Sequence, residues 1–340
     1  MRALGVQETR ATDETETVTP THIGGQAVLE GIMMRGKHNW AIAVREPSGA
    51  IYTEEHDLVS AASRHRWLRW PIVRGMWSFY ETMVLAIKAF SISAAHAGES
   101  EEDQLSSGEI GFTMVLGLAL SVGLFIVLPA VVTNLIVGSS VDSPLAWNVV
   151  DGVLRLVAFF AYIAAVSRMK EIRRVFAYHG AEHKTIHAYE RGLPLEPEVI
   201  RRYTTLHVRC GTSFLLMVMV VAIAVFSLVP GKAILAAWGV EGRGWVLLFN
   251  IGVRIALLPL IAGIAYEITV KWAGRRPDNP LVKVLLWPGL QLQRMTTVEP
   301  DDSMIEVAVA AMNLVVARER AEAGEAPAPN AAGEALPAID

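Results

Sequence analysis

The segment Tyr178-His179-Gly180-Ala181-Glu182-His183-Lys184-Thr185-Ile186-His187-Ala188-Tyr189-Glu190 concentrates side chains that bind metals or move protons. On a helix of about 100° per residue, Glu182 lies roughly −60° from His179, His183 roughly +40°, His187 roughly +80° and Glu190 roughly +20°. All five then share an arc of about 140°. Two His at i and i+4 on one face can hold a single zinc through neutral imidazole nitrogens, and a Glu beside them can act as general base. His179-x-x-Glu182-His183 also has the spelling of the inverted zincin motif. His207-Val208-Arg209-Cys210 follows, with an imidazole and a thiol at a spacing that suits one metal. Four of the nine histidines fall within 29 residues, next to the only cysteine.

These residues predict a divalent metal, zinc before others. His179, His183 and His207 would be ligands, Glu182 the catalytic base, and Cys210 or His187 would complete or support the shell. Two other readings stay open: a closed His/Cys shell that is purely structural, and a hydrogen-bonded loop without metal.

The elements that must position this chemistry point to a membrane. The chain has 340 residues, is 52% hydrophobic and has a mean hydropathy of +0.37, more apolar than an ordinary soluble domain. Its net charge of −4 excludes the basic footprint of a nucleic-acid binder. A lone Cys210 excludes an internal disulfide and fits a reducing compartment, and no cleavable signal is visible in the polar, acidic N-terminus. Residues 110–141 and 210–231 carry no charge and exceed the ~20 residues that span a bilayer. Residues 146–167 contain Asp151 and Arg155, and residues 245–270 contain Arg254 and Glu267; their lengths favour spans with functional charges inside. The expected fold class is thus an α-helical integral membrane protein of about four transmembrane helices. Arg168 to Arg209 holds nine Lys/Arg, whereas Gly138–Leu145 holds none and Lys232–Gly244 two. The positive-inside rule places both termini and the His-rich loop 168–209 on the cytoplasmic side of an inner (cytoplasmic) membrane.

Asp151 can pair with Arg155 along its own helix. Glu267 is about 20 Å from Arg254 by helix rise, too far to be its partner. Arg254 then needs Asp151, Asn134, backbone or a bound anion. Residues 1–21 and 321–340 are unsuited to a packed core and read as disordered. Residues 22–58 read as a small β element, with strands Ala27–Met34, Trp40–Arg45 and Ala50–Glu54. In 60–98, Arg74, Glu81 and Lys88 recur every seven residues on an otherwise apolar helix flanked by Trp67, Trp70 and Trp77. An interfacial or re-entrant helix fits this pattern, and a fifth span is the alternative. Glu99–Asp103 is an acidic linker. Residues 277–320 hold two amphipathic helices, the second capped by Asp301, Asp302 or Ser303.

Gly24-Gly25-Gln26-Ala27-Val28-Leu29-Glu30-Gly31-Ile32-Met33-Met34-Arg35-Gly36, the His179 segment, and His207-Val208-Arg209-Cys210-Gly211-Thr212-Ser213-Phe214 resemble the signatures of the bacterial YqhQ-like family, over about residues 22–318. The resemblance implies a multispanning membrane protein, labelled in places a predicted metal-dependent enzyme, with Glu30 and Arg35 among its motif residues. It implies no reaction. Three functions remain in view: a metal-dependent hydrolase of a lipid or membrane peptide, a scaffold or accessory factor for membrane-protein insertion or transport, and a transporter of an anionic group through Arg155 and Arg254.

Overall fold

The computed structural model describes residues 19, 21–98, 107–137, 144–208, 210–229, 231–240, 242–273, 276 and 279–324. Strands β1 (Gly24–Val28), β2 (Gly31–Arg35), β3 (Asn39–Arg45) and β4 (Ile51–Asp57) form an antiparallel meander in that order. The helices are α1 (Ala61–Arg64), α2 (Val73–His96), α3 (Ser107–Val122), α4 (Leu128–Ile136), α5 (Pro144–Val166), α6 (Lys170–Glu190), α7 (Pro197–Ile200), α8 (Gly211–Ser227), α9 (Gly231–Ala237), α10 (Arg243–Tyr266), α11 (Pro280–Thr296) and α12 (Asp302–Ala323). The termini outside these limits, the acidic segment Glu99–Asp103 and residues 138–141 lie outside the described residues.

Period-two alternation explains the sheet. Ile32, Met34, Ala41 and Ala43 pack with Tyr178 and Ala181 of α6 and with Ile305, Ala308 and Met312 of α12. Val28, Met33, Trp40, Ile42 and Val44 pack on the opposite face with Leu85 and Ala89 of α2. Burial on both faces makes β2 and β3 read as unbroken apolar runs. For that reason Ala27–Met34, expected as one strand, is in fact two. The chain reverses at Leu29-Glu30, Val28 opposes Gly31, and Glu30 takes a positive φ of 49°. Hairpin turns of this kind ordinarily carry Gly, Asn or Asp, and Leu-Glu gives no such cue.

Helix α2 lies along α10 and under the sheet. Two residues of its charged stripe, Arg74 and Glu81, are engaged within the chain, and Lys88 is exposed. Arg74 Nε donates to Glu267 Oε1 at 2.7 Å. Glu81 accepts from Ser60 Oγ and from Trp77 Nε1, each at 2.6 Å. Phe79, Tyr80, Met83, Ile87 and Phe90 remain exposed.

Helices α3 and α4 join through a π turn at Gly123–Val127, and α10 continues into another at Glu267–Trp272. Gly111–Ile136, Ala146–Val166 and Gly244–Trp272 are long and apolar enough to cross a membrane. Helix α8 is apolar but only 17 residues long, a rise of about 25 Å against the ~30 Å of a hydrocarbon core. The uncharged run at 210–231 is therefore longer than the helix it encodes. Cys210 caps the start, and the helix ends at Ser227, three residues before Pro230. A proline ahead disfavours further helical residues before it. Asp301 is the cap of α12, its Oδ1 accepting from Met304 N at 3.0 Å.

Candidate metal centre

Helix α6 carries the His-rich segment between the sheet, α12 and the irregular chain 201–208. Close approach is built into it. A Cβ on Gly180 would sit 2.2 Å from Val298 O, and Val298 N donates to Phe176 O at 2.9 Å, so the segment after α11 is laid directly on the helix. That contact brings the end of α11 against His179.

The two imidazoles of His179 and His183 are oriented alike. His179 Nδ1 lies 2.8 Å from Thr296 O, and His183 Nδ1 lies 2.5 Å from Thr205 O. A carbonyl only accepts, so in both rings Nδ1 carries the proton and the neutral ring presents a bare Nε2. His179 Nε2 lies 3.1 Å from Cys210 Sγ. His183 Nε2 is buried and makes no hydrogen bond. The ligand atoms of His179, His183 and Cys210 all lie within 4.8 Å of one another. Burial lowers the His183 pKa; the Cys210 thiol pulls it upward, although no hydrogen bond between them forms.

Cys210 is the N-cap of α8. Its sulfur accepts from Thr212 N at 3.4 Å and lies 3.2 Å from Thr212 Oγ1. The partial positive charge of a helix N-terminus thus faces it. One thiol proton can satisfy one imidazole lone pair, and two are presented. A cation would satisfy both, and Nδ1–H bonds to carbonyls are the usual outer support of metal-bound His. The residues fit a divalent metal.

The remaining imidazoles form a second group, His187, Glu190 and His207, again with ligand atoms within 4.8 Å. Ring centroids run from His179 to His183 at 4.4 Å, on to His207 at 5.5 Å and to His187 at 4.8 Å. This group is already bonded. His187 Nε2 donates to Leu206 O at 2.8 Å, and its Nδ1 faces Arg191 Nη1 at 3.4 Å. Burial, with the charges of His207 and Arg191, pushes the His187 pKa down to about 4. Glu190 Oε2 lies 3.6 Å from His207 Nε2, while Glu190 Oε1 accepts from Thr21 N at 2.9 Å. The buried amide of Gln293 receives His207 N and donates to His207 O, both at 2.8 Å. The structure therefore divides the predicted ligands: Cys210 joins His179 and His183, and His207 joins His187. Sequence placed Glu190 among the metal-competent side chains without giving it a ligand role, and it did not single out Gln293. Glu190 shares the histidine arc, but nothing marks Gln293 within its amphipathic helix.

Glu182 lies toward β1. A Cβ on Gly25 would stand 2.8 Å from its Cδ, so glycine there makes room for the carboxylate. Burial pushes the Glu182 pKa up to about 7, against the pull of His179 and of the Gly25 N–H. The motif residues Glu30 and Arg35 sit apart from the imidazoles. Glu30 accepts from Arg174 Nε at 2.5 Å and from the Tyr178 hydroxyl at 3.2 Å, tying the β1–β2 turn to α6. Arg35 donates to Glu81 Oε2 at 3.4 Å and to Thr82 Oγ1 at 3.5 Å on α2.

At the far end of α8 lies the other predicted cluster. Asp151 Oδ1 accepts from Arg254 Nη1 at 2.8 Å, and Oδ2 accepts from Arg155 Nη2 at 3.1 Å. Arg254 Nη2 also reaches Asn148 Oδ1 at 3.5 Å. Asn134 on α4 is not one of its partners; Asn148 takes that place because it stands three residues before Asp151 on the same face of α5. Glu267 pairs with Arg74.

Residues 70–318 match the family described as Protein of unknown function (DUF1385). The chain belongs to this family. It is also similar to the "Uncharacterized protein YqhQ" of Bacillus subtilis (strain 168), 32% identical over 312 residues, which cover 86% of this chain and 92% of that protein. No solved structure matches the chain. The resemblance carried by the Gly24–Gly36, His179 and His207–Phe214 motifs is therefore a family relationship.

Proposed function

We propose that this DUF1385 chain is a multispanning membrane protein holding a divalent metal, zinc first, between His179, His183 and Cys210, and that it hydrolyses a lipid or membrane peptide there. The observation that carries the reading is the pair of Nε2 lone pairs turned on one sulfur, with His183 Nε2 buried and unbonded. Three protein ligands leave a fourth position open, as catalytic zinc sites do and closed structural ones do not. A metal bound there would supply Lewis-acid activation of a carbonyl or phosphoryl group. The chain's own residues supply the rest. Thr296 O and Thr205 O fix the tautomers, the α8 N-terminus steadies the sulfur, and Glu182, with a pKa near neutrality, exchanges a proton beside His179.

Three long apolar helices and the shorter α8 support insertion in the bilayer, and the loop charges favour cytoplasmic termini with the metal centre at the cytoplasmic surface. Elemental analysis of protein purified without chelators tests the reading. Stoichiometric metal is expected in the wild type and in Glu182→Gln, and metal-free wild-type protein that ignores added zinc would overturn it.

A further inference from the structure

Among the described residues, the polar cluster beneath α8 is short of one negative charge. Asp151 spends both oxygens on two guanidiniums, and Arg155, Arg254 and Asp151 are each at most 6% exposed at the side chain. The sum is +1 in a setting of apolar helices. Arg155 Nε is buried without a hydrogen-bond partner. The ring of Phe226 lies 5.3 Å from the Arg155 guanidinium and 5.2 Å from that of Arg254, and Trp147 lies 5.0 Å from Arg254. Aromatic faces supply partial negative charge and no hydrogen-bond acceptor oxygen. An uncompensated buried cation is costly, and intramembrane ionisable groups ordinarily mark a ligand or transport path.

We propose that Arg155 and Arg254 together bind a singly charged phosphate oxyanion. A phosphate has oxygens enough to meet donors on two helices, and guanidinium forks match its geometry. A phosphodiester carries the one charge that the cluster lacks. The ligand is either the headgroup of an anionic lipid or a soluble phosphate. Cys210 and Phe226 are sixteen residues apart on α8, about 24 Å by helix rise, so this site is separate from the metal centre.

The test is thermal unfolding of the full-length protein in nonionic detergent, with phosphatidylglycerol, inorganic phosphate or uncharged diacylglycerol as probe. Phosphatidylglycerol should raise the wild-type Tm by about 3 °C or more at saturation. If inorganic phosphate does the same, the natural ligand is a soluble phosphate; if only the lipid does, it is a headgroup. Asn148→Asp places the missing carboxylate beside Arg254 and should remove the response while the protein still unfolds cooperatively. Arg155→Gln should also lose the response, and Arg155→Lys should keep part of it. The proposal is overturned if neither anion moves the wild type, if diacylglycerol matches phosphatidylglycerol, or if Asn148→Asp responds as the wild type does.

Discussion

Arg254 Nη1 donates to Asp151 Oδ1 across 2.8 Å, binding α10 to α5 through residues 103 positions apart. The same carboxylate holds Arg155 from one turn along α5. Removing Asp151 strands two buried cations, whereas removing Arg254 strands none of its partners completely. Asp151→Asn should therefore be the most damaging single change in the cluster, by about 3–5 kcal/mol. Arg254→Leu should cost less, and the double variant should be more stable than the sum of the two predicts. Thermal unfolding of the four proteins in detergent measures the coupling; additivity within about 0.5 kcal/mol would show that the pair does not interact energetically.

Gly25 and Glu182 offer a cleaner steric test. The Cβ of Gly25→Ala would approach Glu182 Cδ and Cγ to 2.8 Å, and its three nearest neighbours all belong to Glu182. Overpacking of this kind costs about 1–3 kcal/mol. Glu182→Ala should abolish that penalty, so Gly25→Ala should be close to neutral in its presence. An equal penalty in both backgrounds, read from unfolding midpoints, would mean that Glu182 does not fill the space behind β1.

Much of this arrangement was legible in the residue pattern, because local periodicity fixes which side chains share a face. The arc of His179, His183, His187 and Glu190 needed only a helical α6, and charges inside apolar runs named Asp151, Arg155 and Arg254. The partition of the imidazoles was not legible. Whether His207 or Cys210 meets His183 depends on the irregular chain 201–208 and on Gln293 bonding both backbone groups of His207, and no periodicity governs either. The length of α8 was hidden for a related reason: hydropathy continues through residue 231 while the backbone ends its helix at Ser227. Asn148 was missed in favour of Asn134 because only the packing of α5 on its neighbours decides which amide reaches Arg254.

Topology is the third prediction. Reporter fusions after Glu190 and Arg320 should read as cytoplasmic, and fusions after Gly138 and Gly242 as external, following the nine basic residues of 168–209. An external Glu190 would move the His179–His183–Cys210 cluster across the membrane and invert the reading of every loop.

The last prediction separates the two imidazole groups. His179→Ala, His183→Ala and Cys210→Ser each remove a ligand atom from the open set, and each should lower bound metal well below one per chain. His187 already has both nitrogens engaged, by Leu206 O and Arg191, so His187→Ala should leave the stoichiometry intact. His207 lies next to His183 without belonging to its set. His207→Ala should then weaken affinity by about 10–100-fold, as the loss of an outer support does, without abolishing binding at saturating metal. Elemental analysis after equilibration at several zinc concentrations distinguishes the cases. Metal that survives Cys210→Ser and vanishes in His207→Ala would show that His207, and not Cys210, is the third ligand. Metal that survives all five substitutions would place the ion elsewhere on the chain. Chelation provides a second readout, because binding to the folded state alone must stabilise it. Stripping the wild type should lower its Tm, and Cys210→Ser should already sit near the stripped value and change little on chelation.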